Sequence, residues 1–130
     1  MKKLVIFWGV WNAVLGAGLV VPALAARIGL RLPHPFWAWL SAAFLWFTAA
    51  VLILAARDLR ARAAFVYWEA FLRYGAAALL LTIGPAVVGW PAWVLGATDL
   101  GWGLSYTFGL PRALQTTHRR LFLDLLDKGG

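Results

Sequence analysis

The chain is predicted to be an all-α membrane protein: a four-transmembrane-helix up-down bundle with a short C-terminal amphipathic helix. Three observations predict it. Apolar stretches at residues 4–26, 36–56, 63–83 and 87–108 fill nearly all of the 130 residues. Hydrophobic residues make up 63% of the chain, and mean hydropathy is +0.78. Basic residues gather between the stretches rather than inside them. About 20 apolar residues at about 1.5 Å per residue cover the ~30 Å hydrocarbon layer of a bilayer, so each stretch is long enough to cross once. In lipid every backbone N–H and C=O must be paired internally, which makes such stretches helices; barrel strands would alternate over about 10 residues, and these do not. Residues 1–110 are therefore read as the bundle and 111–130 as a cytoplasmic amphipathic tail.

The first stretch follows Lys2 and Lys3 and imitates a secretory signal, with Ala23-Leu24-Ala25 as its cleavage-like site. Its apolar run over residues 4–21 exceeds the usual core of about 7–15 residues, and Asn12 sits in the middle, so it is read as a retained first helix. Pro22 and Gly29 loosen its end, and Leu32-Pro33-His34-Pro35 makes a stiff outer turn. The second stretch opens on Phe36, Trp37 and Trp39. The link Arg57-Asp58-Leu59-Arg60-Ala61-Arg62 is short, which predicts that the second and third helices pack as an antiparallel hairpin. Gly84-Pro85 ends the third helix; Trp90, Pro91 and Trp93 open the fourth, and Pro111 closes it. Over residues 112–127, Leu114, Leu121, Phe122, Leu125 and Leu126 fall at helical spacing, with Arg119, Arg120, Asp124 and Asp127 elsewhere around the helix. This tail is expected to lie on the inner leaflet, cap the bundle or dock a partner. The second and fourth helices both begin with proline and tryptophan, too faint an echo to establish a duplication.

The net charge of +7 orients the helices. Lys2, Lys3, Arg57, Arg60, Arg62, Arg112, Arg119, Arg120 and Lys128 lie on one side, against Arg27 and Arg31 on the other. The positive-inside rule then puts both termini in the cytoplasm, for a multi-pass protein of the cytoplasmic (inner) membrane. Anionic lipid head groups, not nucleic acid, are the partners such charges meet. Cysteine is absent, which excludes disulfides and thiol chemistry. Most of the nine tryptophans form interfacial belts, with Trp8 and Trp68 near the inner face; Trp11, Trp46 and Trp102 lie deeper.

Ionisable residues within a membrane helix cost ~2.5–3.5 kcal/mol each on insertion scales, so Glu69, Arg73 and Asp99 carry the functional argument. Glu69 and Arg73 are four apart and share one helix face. Counted at about 1.5 Å per residue from the cytoplasmic end, Glu69 is about 9 Å deep, Arg73 about 15 Å and Asp99 about 14 Å; Asn12 and Thr48 are each about 12 Å deep. Each helix thus places a polar side chain in one slab. Small residues beside them, Gly16 with Asn12, Gly96 and Gly103 with Asp99, and Ser41 and Ala55 with Thr48, point these faces inward. Two carboxylates against one arginine leave an excess negative charge, expected to be met by a proton, water or a cation, with Asp99 the titrating member.

Asp99, Glu69, Arg73, Asn12, Thr48 and Trp102 are the candidates for binding a ligand or proton, beside the plainer reading of a salt-bridge network that fixes helix register. No catalytic residue is assigned, because no histidine, cysteine or serine nucleophile accompanies them. His34 and His118 lie too far apart to share a metal.

In size, topology and the run Leu54-Ala55-Ala56-Arg57-Asp58-Leu59-Arg60-Ala61-Arg62 before a charged third helix, the chain resembles small bacterial membrane proteins of the broad DoxX-like type. That resemblance implies a four-helix membrane fold and, for some members, association with quinone-linked oxidation of sulfur compounds. It carries no residue role onto this chain, and the lack of cysteine gives sulfur chemistry no support. The expected function is a non-enzymatic accessory or partner-binding subunit. The alternatives are a small-molecule or proton-coupled transporter acting as a homo-oligomer, and a quinone- or lipid-binding subunit of a membrane oxidoreductase with Trp102, Trp46 and Asn12 near the head group. No cofactor is expected beyond the quinone or lipid of that last reading. The expected partners are membrane lipids and either a second copy or a larger membrane protein.

Overall fold

The computed structural model describes residues 1–32 and 34–126. The described chain is all-helical: α1 Lys2–Leu19, α2 Pro22–Arg27, α3 Pro35–Arg57, α4 Ala63–Thr82, α5 Gly84–Val88, α6 Pro91–Leu114 and α7 His118–Phe122. Pro33 of the outer turn, and Asp127 and Lys128 of the tail, lie outside the described residues.

Helix boundaries follow proline chemistry. A residue before proline is pushed out of the helical region. Val21 is extended (φ −109°, ψ 92°) ahead of Pro22, so the first apolar stretch is not one helix but α1 followed by the short α2. Pro35, Pro85 and Pro91 each occupy the first turn of a helix, where the missing N–H costs nothing. His34 caps α3 through Nδ1, which accepts from the Phe36 N–H at 3.1 Å. At the other end of α3, Arg62 Nη1 donates to the Leu54 carbonyl at 2.6 Å, supplying a partner that helix ends lack.

The fourth helix departs from expectation at both ends. It starts at Pro91, because α5 and the positive-φ Gly89 occupy 84–89, and it runs through Pro111 to Leu114. Proline removes only its own donor, so one further turn forms before Gln115 stops the helix in the left-handed conformation (φ 50°, ψ 51°). The tail is accordingly not one amphipathic helix. It reduces to α7, whose Leu121 is fully buried in the core. Trp68 Nε1 donates to the Phe122 carbonyl at 3.1 Å, and Tyr67 OH and His118 Nδ1 share a 2.9 Å bond, so α7 is folded back onto α4.

The close helix pairs are α1 with α3 and α4 with α6, whereas α3 and α4, joined by the short link, meet sparsely. Residue size explains the difference from the hairpin expected of that link. On α1, Gly9 and Gly16 face the Ala49 and Ala42 carbonyls of α3; on α6, Gly103 faces the Ala70 carbonyl of α4 and Gly96 faces Leu80 and Leu81. A side chain on Gly103 would put its Cβ 2.7 Å from the Tyr74 ring, closer than real atoms approach. Small residues let two helices approach to backbone contact. Along the α3–α4 groove, by contrast, lie the larger Phe47, Phe65 and Trp68.

Each pair also carries a short proline-led helix at its turn, α2 in the first and α5 in the second, which extends the faint sequence echo to topology. These turns are joined: Arg31 N–H donates to the Val88 carbonyl at 2.8 Å, and Gly29 (φ +78°) and Gly89 (φ +92°) approach so closely that a Cβ on Gly89 would lie 2.9 Å from the Gly29 carbonyl. At the opposite end the halves share the core, where Val5, Leu52, Val66, Trp102, Tyr106 and Leu121 meet.

Two of the helices, α3 and α4, are long and apolar enough to cross a membrane. α1 is shortened by the break before Pro22 and carries Lys2, Lys3 and Asn12; α6 is diluted by Asp99, Arg112 and its glycines.

Candidate functional site

The site is built from two matching pieces. α1 and α6 share one spacing, glycine, polar residue three later, glycine seven later: Gly9-Asn12-Gly16 and Gly96-Asp99-Gly103. Positions three and seven apart lie on one helix face, so the glycines that bring the partner helix close also aim the polar side chain at it. Asn12 Nδ2 donates to Thr48 Oγ1 on α3 at 2.8 Å, and Thr48 passes its own proton to the Leu45 carbonyl at 3.0 Å. Asp99 Oδ1 accepts from Arg73 Nη1 on α4 at 3.0 Å.

Arg73 is the centre of the second piece. Its Nε donates to Glu69 Oε1 at 2.6 Å, with Nη2 2.5 Å from the same oxygen. All three guanidinium nitrogens are thereby engaged with carboxylates. The Trp102 ring lies 3.9 Å from Arg73 Cζ, a cation–π contact, and Trp8 stacks on Trp102 with ring centroids 4.1 Å apart. Glu69 and Arg73 are 7% and 5% exposed, Trp102 1%, Asn12 0% and Thr48 9%. Asp99 is the more open carboxyl.

The six candidate residues therefore divide. Glu69, Arg73, Asp99 and Trp102 come together; Asn12 and Thr48 form a separate bond in the other helix pair, and no hydrogen bond links the two groups among the described residues. Thr48 and Glu69 both line a groove of about 540 Å³ between α3 and α4. Of the inward stripe expected on the second helix, Ala55 and Thr48 are buried but Ser41 is exposed; Ala42 and Ala49 take that face instead. Trp46 is turned to the α1–α3 seam, donating to the Ala13 carbonyl at 3.2 Å.

Two members escaped the sequence reading. Trp8, expected in the interfacial belt, is drawn inward by Trp102; it stands four residues before Asn12, on the same face, which was the available signal. Tyr106, four after Trp102, is fully buried against it by the same rule. Six buried side-chain atoms have no hydrogen-bond partner among the described residues: the acceptors Glu69 Oε2 and Asn12 Oδ1, Trp8 Nε1, Trp102 Nε1 and Tyr106 OH of the neighbouring aromatic cluster, and Thr116 Oγ1. No group of three His, Cys, Asp or Glu able to hold a metal occurs among the described residues.

The Asn12–Thr48 bond is expected to contribute little. A net side-chain hydrogen bond contributes about 0.5–1.5 kcal/mol, so Asn12→Ala should shift denaturant unfolding by no more than about 1.5 kcal/mol. A loss several times larger would mean that Asn12 holds more than Thr48.

Compared with family models, curated proteins and solved structures, the chain finds no match in any of the three.

Proposed function

We propose that the chain is a multi-pass protein of the cytoplasmic membrane, with α1, α3, α4 and α6 crossing it, both termini inside, and an accessory, ligand-holding role rather than an enzymatic one. One observation carries the reading: the large apolar side chains point out while the charges point in. Phe44, Phe47 and Phe65 are 63%, 68% and 63% exposed, as are Val14, Leu72, Leu79 and Ile83 to similar degrees, yet Glu69 and Arg73 are enclosed. In water so broad an apolar surface would drive association; in lipid it is the expected exterior, and ionisable groups turn to the interior.

Between the structural and the binding role, the unpartnered Glu69 Oε2 favours binding. Its carboxyl lines the α3–α4 groove, where a ligand's charge can reach it without a hydrogen bond. Reporter fusions test the placement. A fusion at residue 34 should report the outer side and one at the C-terminus the cytoplasm; a cytoplasmic signal at residue 34 overturns the topology.

A further inference from the structure

The α3–α4 groove joins three properties. Its walls are apolar and aromatic, formed by Phe47 and Val51 of α3 and Phe65, Trp68 and Leu72 of α4. Glu69 lines it, buried, with Oε2 unpartnered. No basic side chain lines it among the described residues. Its volume of about 540 Å³ falls within the ~300–1,000 Å³ of small-molecule sites.

Charge selects the ligand. Arg73 is the only cation of the buried cluster among the described residues, and it faces two carboxyl groups, Glu69 and Asp99, so with both ionised the cluster is one positive charge short. An anion would meet the excess negative field. A neutral apolar molecule would fill the walls without answering that field. A small hydrated ion would have to shed its water among phenylalanines to approach a covered oxygen. A cation whose charge is shielded by apolar groups meets every term: its body lies against the walls, the aromatic faces attract its charge, and it needs no hydrogen bond to feel Glu69 at low dielectric.

We propose that this groove binds an amphiphilic organic cation, a substituted ammonium or phosphonium on an apolar body, with Glu69 as its counter-charge. The proposal rests on the membrane reading above and names the ligand class for its binding role.

The full chain in phosphatidylcholine nanodiscs, dialysed against labelled tetraphenylphosphonium, tests it. Saturable uptake above that of empty nanodiscs is expected, at least tenfold weaker in Glu69→Gln and lost in Val51→Trp. The new indole in Val51→Trp is expected to obstruct the groove without replacing Glu69, Arg73 or Asp99, so this variant decides the matter even if Glu69→Gln does not fold. Asp58→Asn, on the exposed link, should bind as the parent does. Uptake no greater than that of empty nanodiscs, or unchanged in Val51→Trp, overturns the proposal. Equal competition by neutral tetraphenylsilane also overturns it, assigning the groove to a lipid or another uncharged ligand. The reporter fusions read topology without any ligand, so a failed membrane reading is seen there and a failed ligand assignment only here.

Discussion

Replacing Arg73 with alanine is expected to cost about 3–5 kcal/mol of stability, while Arg60→Ala changes it by less than about 0.5 kcal/mol. Arg73 holds Glu69 and Asp99 together, and both lose their counter-charge at once. The penalty is mostly that of stranding carboxylates out of water rather than of a lost bond. Arg60 is exposed on the link between α3 and α4, where solvent replaces whatever it meets. Unfolding by denaturing detergent, followed by circular dichroism, compares the two. Coincident curves would show that Arg73 is solvated. Adding Glu69→Gln to Arg73→Ala should recover part of the loss, because it removes one stranded charge; no recovery would mean the damage is steric.

The second large effect is expected at Gly103. Gly103→Leu drives a side chain into the Tyr74 ring and toward the Ala70 carbonyl, where a Cβ alone would stand 2.7 Å and 3.2 Å away. Overpacking of this kind costs about 1–3 kcal/mol, more where the obstacle is backbone that cannot turn aside. Gly101 is the control on the same helix. A Cβ there meets nothing within 4 Å, so Gly101→Leu should be neutral or stabilise by up to about 1 kcal/mol through helix propensity. Opposite shifts of the unfolding midpoint are the expected result. Equal shifts would mean that α4 and α6 do not touch along Gly96–Gly103.

What could be read from the chain, and what could not, divides along physical lines. The helices were legible because apolar length and proline placement act locally: the positions of α3 and α4 were both foreseen within a residue or two. The Glu69–Arg73 pair was legible for the same reason, being four apart on one helix, and Asp99 joins it through Arg73 Nη1. Pairing was not legible. The Arg57–Arg62 link puts α3 and α4 side by side in sequence, yet contact is decided by where glycines meet a facing helix, across two other seams. The tail misled because Leu121 and Leu126 have helical spacing but are buried by α4 and α6, contacts that spacing cannot reveal. The split of the polar slab into Asn12–Thr48 and Glu69–Arg73–Asp99 went unseen because depth gives one coordinate and leaves the angle around the bundle open.

That Glu69 and Arg73 sit on a single helix bears on the order in which the chain is made. A ribosome delivers α4 before α6, and Asp99 follows Arg73 by 26 residues. On the proposed membrane reading, a lone arginine emerging into lipid would have to wait for its counter-ion. α4 brings one along, a turn away, and so enters as a nearly neutral segment. Asp99 then arrives last, to a guanidinium already in place.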